Sequence, residues 1–150
     1  MRTMRHPARP GTPSAAVAML MLAQIAAACI LLRASADRVW FLGHPVGGVC
    51  LFRSLTGLPC PTCGMTRSIV LALNGQLGAA LRLNLAGPVW VLALVTLAAA
   101  LLWLAWRERG RGSEQTAVAR RRVRLLAIAQ GAVFGAALAT NWIWALAGRR

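Results

Sequence analysis

Residues 85–106 (LAGPVWVLALVTLAAALLWLAW) run for 22 positions without a charge. A helix of about 20 such residues crosses the hydrocarbon core of a bilayer. Two further runs share this character, at 15–32 and 125–147. In lipid a helix satisfies its own backbone hydrogen bonds, which a loop cannot do. The three runs therefore predict an all-α integral membrane protein with three transmembrane helices. Composition agrees. Hydrophobic residues make up 58% of the chain and charged residues 13%, against about 25% charged in an ordinary soluble domain.

The remaining segments follow from these runs. Residues 1–14 form a basic, proline-rich tail, and 15–33 the first span. Residues 34–64 form a Cys-rich loop, and 65–84 an amphipathic helix. Residues 85–106 are the second span, 107–124 a basic loop and 125–147 the third span. In the amphipathic segment Met65, Ile69, Leu73, Leu77 and Leu81 recur every fourth residue, with Arg67, Leu71, Asn74, Gly75, Gly78 and Arg82 on the other side. That is helical periodicity. Its uncharged part is too short to span comfortably, so an interfacial helix is expected. Asn74-Gly75 is a place where it divides in two. The tail before the first span and Ala34-Ser35-Ala36 after it also fit a secretory signal peptide. The apolar run exceeds the usual ~7–15 residues of such a peptide, and Arg33 stands just before the site. An uncleaved span is the preferred reading.

The net charge is +14, carried by arginine with no lysine. This usage, with abundant Ala and Gly, suggests a bacterial protein. The arginines cluster beside the apolar runs, which argues for membrane flanks rather than nucleic acid binding. Seven lie in 107–124, and Arg2, Arg5 and Arg9 lie in the tail. The positive-inside rule then puts the N-terminus in the cytoplasm and residues 34–64 on the outer face of the plasma membrane. The expected partners are the bilayer and its anionic headgroups. Gly131 and Gly135 have the G-x-x-x-G spacing that lets another helix approach, in a homo-oligomer or another membrane protein. Gln130 and Asn141, polar within the third span, are expected to find hydrogen-bond partners.

Chemistry concentrates in the Cys-rich loop. Cys29 lies in an apolar run, but Cys50, Cys60 and Cys63 share one segment. Three roles compete. A disulfide or a tight turn would pin the loop. Thiol–disulfide exchange would use the C-x-x-C of Cys60 and Cys63. Cys60 would cap a helix with Pro61 as its first residue, Arg67 would stand one turn beyond Cys63, and the thiolate would be favoured. No thioredoxin-like βαβ pattern accompanies it. A zinc site would use the same C-x-x-C with Cys50, and His44 as a fourth ligand. Other enzyme chemistry is poorly supported. The three acidic residues are Asp37, Glu108 and Glu114, which offer no carboxylate pair near the cysteines.

The run from Cys50 to Ser68, with Cys60-Pro61-Thr62-Cys63-Gly64-Met65-Thr66-Arg67 at its centre, resembles the signature of a bacterial membrane family, domain of unknown function 2752. The resemblance covers roughly residues 48–106. It includes the L-T-G-L-P-C approach, the upstream cysteine and an Asn near a Pro after the amphipathic helix, here Asn84 and Pro88. Leu51 departs from the proline often found after the first cysteine, and Asn84 is not directly followed by proline. The resemblance implies a small membrane protein. It marks Pro61, Gly64, Thr66, Arg67 and Asn84 as residues that support the motif, and supplies no catalytic residue. The leading expectation is a structural or interaction protein of the membrane. A redox component and a zinc-binding module are the alternatives.

Overall fold

A computed structural model describes residues 13–34, 38–46, 50–110 and 113–148. The first twelve residues of the basic tail, Ser35, Ala36, Asp37, Gly47 and Gly48 lie outside the described residues. Helix α1 spans Pro13–Leu31, α5 spans Ala86–Gly110 and α6 spans Ser113–Leu146. All three are long and apolar enough to cross a membrane, with mean hydropathies of 2.2, 2.3 and 1.6. Between α1 and α5 lie strands β1 (Leu32–Ala34), β2 (Val39–Phe41) and β3 (His44–Val46), then helices α2 (Leu51–Thr56), α3 (Met65–Leu73) and α4 (Leu77–Leu83). The fold is mostly all-α.

Helix α5 is the central post. Helices α1, α3, α4 and α6 all pack against it. Between α5 and α6, Trp90 and Phe134 meet at a centroid distance of 4.9 Å. Gln130 donates to the Thr96 hydroxyl across the same seam, the partner expected of a polar group inside an apolar helix. At the far end Glu108 accepts from Ser14 on α1 at 3.0 Å and pairs with Arg120 on α6 at 2.9 Å. One carboxylate thus links the ends of all three long helices. A Cβ built on Gly131 or Gly135 meets nothing within 4 Å, so the G-x-x-x-G pair is not used between helices of this chain.

Two sequence expectations need correction, and a third is refined. First, the segment expected as a loop carries a three-stranded antiparallel sheet in the order β1-β2-β3. It closes through Leu42 and Gly43, both at positive φ, the geometry of a tight two-residue hairpin turn. Pro45 lies opposite Trp40 on the edge strand β3, where a missing N–H is tolerated. Strands of three residues are too short to leave a period in sequence.

Second, residues 113–124 of the expected basic loop are helical and continue into α6. Arginine is a good helix former, and a helix already nucleated by the apolar run extends at little cost.

Third, 65–84 forms two helices. Gly75, with φ 79°, turns the chain after Asn74, and α4 folds back on α3. The buried residues are Ser68, Val70 and Leu71 on α3 and Ala80 on α4. Of the expected apolar stripe, Met65, Ile69 and Leu73 are half-buried and Leu77 and Leu81 stay exposed, because the hairpin buries its inner face instead. The inner face is closed by the Ser68 hydroxyl, which lies 2.9 Å from the Ala80 carbonyl and 2.7 Å from that of Asn84.

Candidate functional site

The cysteine loop is a series of turns rather than a helix start. The Cys63 amide donates to the Cys60 carbonyl at 3.2 Å, and Met65 to Thr62 at 3.0 Å. Gly64 then takes φ 77° as the residue before α3. A left-handed backbone interrupts any right-handed helix, so Cys60 does not cap α3 and Pro61 is not its first residue. Glycine suits this position because the left-handed region is strained for other side chains.

Residues from the end of the α3–α4 hairpin and from α6 hold these turns. Asn84, fully buried, donates from Nδ2 to the carbonyls of Cys63 at 3.1 Å and Pro61 at 3.4 Å. Its Oδ1 accepts from the Ala86 amide at 2.9 Å. Asn141 on α6, also buried, donates to the same Pro61 carbonyl at 3.0 Å. The Trp142 indole donates to the Pro59 carbonyl at 2.9 Å. The Pro61 carbonyl is thus gripped from both sides. The polarity of Asn141 inside a span was its visible signal, but not its target 80 positions away.

This grip brings Cys50, Cys60 and Cys63 together. Their three sulfurs lie within 4.8 Å of one another, each half-buried and none disulfide-bonded. Cys50 arrives from just before α2. His44, the expected fourth ligand, is exposed on β3 and does not join the group. Cys29 also stands apart on α1. Thr66 is exposed at the start of α3. Arg67 lines both clefts beside the cysteines.

The thiols are unequal. The Thr62 hydroxyl, 3.1 Å from the Cys60 sulfur, stabilises its thiolate and lowers Cys60 from 9.0 to about 7, against the opposing effect of burial. The sequence had suggested helix-start amides and Arg67 for that role; the neighbouring hydroxyl leads instead. Burial, reinforced by the Cys50 and Cys60 thiols, raises Cys63 to about 11. In metal-free, reduced protein at pH 8, Cys60 is then ionised and Cys63 is not. The thiolate is the reactive form. Iodoacetamide is therefore expected to modify Cys60 first, with a rate that rises through pH 7, as read by peptide mass spectrometry. Thr62→Val should move that rise to higher pH.

Two open clefts flank the triad. One, of about 500 Å³, has Cys60, Cys63, Arg53, Arg67 and Asn141 on its walls. The other, of about 1180 Å³, shares Arg53, Cys63, Gly64 and Arg67 and is also lined by Val39, Phe41, Pro45 and Val46 of the sheet.

Together the fold and the site define a helical protein with three apolar helices long enough to span a bilayer and a three-cysteine cluster beside one of them. Residues 50–105 match the family described as "Protein of unknown function (DUF2752)", the family to which the cysteine motif points. The match begins at Cys50 and includes the whole triad and Asn84. No curated protein and no solved structure matches the chain.

Proposed function

We propose that the triad is a metal centre, with zinc as the ion, that organises the non-cytoplasmic face of a bacterial plasma-membrane protein. The observation that carries this reading is the convergence of three sulfurs rather than two. A disulfide would use two and leave the third without a role. Zinc–sulfur bonds of about 2.3 Å place two sulfurs of a tetrahedral ion about 3.8 Å apart. Sulfurs within 4.8 Å reach that spacing with small side-chain movements. Thiolates are preferred zinc ligands, and three protein ligands leave a tetrahedral ion one open position. Asn84 and Asn141 hold the backbone that presents the cysteines, the role that outer residues play around metal sites.

In this reading the metal fastens the loop to the helices, and the protein acts as a structural or interaction module. Thiol–disulfide exchange is the second reading, favoured by the opposed shifts of Cys60 and Cys63. In this reading the lipid bilayer is the partner, with α3 and α4 at the interface and anionic headgroups near the arginines. The open face at Gly131 and Gly135 suits a second copy or another membrane protein.

Elemental analysis of protein purified without chelators tests the metal. About one zinc per chain is expected if the three sulfurs of one chain hold it, retained in His44→Ala and lost in Cys50→Ser, Cys60→Ser and Cys63→Ser. Protein free of metal, with a Cys60–Cys63 disulfide that reforms after reduction, would overturn it in favour of exchange.

A further inference from the structure

The larger cleft is lined by two unlike sets of residues, the arginines Arg38, Arg53 and Arg67 and the apolar Val39, Phe41 and Val46 of the sheet. Arg38 directly precedes β2. No carboxylate of the described residues lines it. Arg53 lies on the short helix α2 and Arg67 near the start of α3, so two separate elements bring these charges to one opening. Phe41 and Val46 are 43% and 51% exposed, an apolar surface left open next to concentrated positive charge.

We infer that this cleft binds an amphiphilic anion, with its phosphate or carboxylate held by Arg53 and Arg67 and its hydrocarbon chain laid along the sheet. Guanidinium groups match such oxyanions with paired hydrogen bonds. The size of the cleft, about 1180 Å³, far exceeds what a bare phosphate fills, and the apolar wall gives the excess an occupant. The ligand class is a phospholipid or another phosphorylated or carboxylated lipid. The site goes beyond the metal centre and does not require it, since none of its three arginines is a metal ligand. Cys63 and Gly64 stand at the border of both.

Native mass spectrometry in neutral detergent tests the inference with three probes: phosphatidylglycerol, phosphatidylcholine and inorganic phosphate. The wild-type chain should retain one phosphatidylglycerol in preference to phosphatidylcholine, with or without chelator. Arg53→Gln and Arg67→Gln should each weaken retention about tenfold, the scale of one charged hydrogen bond. Val46→Trp, which fills the apolar wall at an exposed position, should weaken lipid retention and leave any inorganic phosphate binding unchanged. If an arginine variant unfolds, judged by its circular dichroism, Val46→Trp still decides the outcome. Equal retention of the two lipids would overturn the inference. So would lipid retention unchanged in Val46→Trp, or inorganic phosphate binding as tightly as phosphatidylglycerol.

Discussion

Asn84→Ala is expected to release the cysteine loop and to cost about 2–6 kcal/mol. The estimate counts about 1–3 kcal/mol for each buried polar group left without a partner. The Ala86 amide loses its acceptor, and Ala86 is fully buried. The Cys63 carbonyl loses its donor. The Pro61 carbonyl keeps Asn141, so the loop should loosen most at Cys63 rather than detach. Thermal unfolding in detergent should show a clearly lower midpoint, and Cys63 should gain reactivity toward alkylating reagents. Asn84→Asp is the informative companion. It keeps the acceptor for Ala86 but sets a second oxygen against two carbonyls, so it should be no better than alanine. Wild-type stability and reactivity in Asn84→Ala would remove Asn84 from its proposed place as the support of the loop.

Gly87→Ala should be comparably harmful for a different reason. A Cβ built on Gly87 lies 2.7 Å from the Ser68 Cβ and 3.0 Å from the Ile69 backbone nitrogen. Helices α3 and α5 touch at this point, and the backbone atom cannot swing aside as a flexible side chain would. Overpacking in a tight core costs typically about 1–3 kcal/mol, and the buried Ser68 hydroxyl bonds are disturbed as well. The expected loss is about 3 kcal/mol, read as a lowered unfolding midpoint. Ser68→Gly in the same chain should recover part of it by removing the nearer atoms, while Ser68→Ala should recover little, because its Cβ remains. An unchanged midpoint for Gly87→Ala would mean that the two helices stand further apart than described.

Part of the architecture was legible because it depends on local composition. A run such as 85–106 has few alternatives to a buried or membrane-spanning helix. The pairing of Cys60 with Cys63 is set by their spacing, and Asn74-Gly75 announced the break between α3 and α4. Gln130 and Asn141 were marked as polar groups needing partners. The sheet was not legible, since three-residue strands owe their existence to the neighbours they pair with. Nor was the helix through 113–124, where arginine content suggested a solvated loop and continuity with α6 prevailed. His44 was the natural fourth ligand by composition, yet strand β3 carries it away from the sulfurs.

The sequence by itself determined the number of long apolar helices and the segment that holds the reactive groups. Hydropathy and short spacings act over a few turns of chain, so they survive without knowledge of the fold. Only the tertiary structure decided that Cys50 joins Cys60 and Cys63, that Asn84 and Asn141 hold one carbonyl between them, and that Arg53 and Arg67 share a cleft. Those facts join residues from separate elements. Their geometry is set by how α3, α4 and α6 pack around α5, which no local pattern encodes.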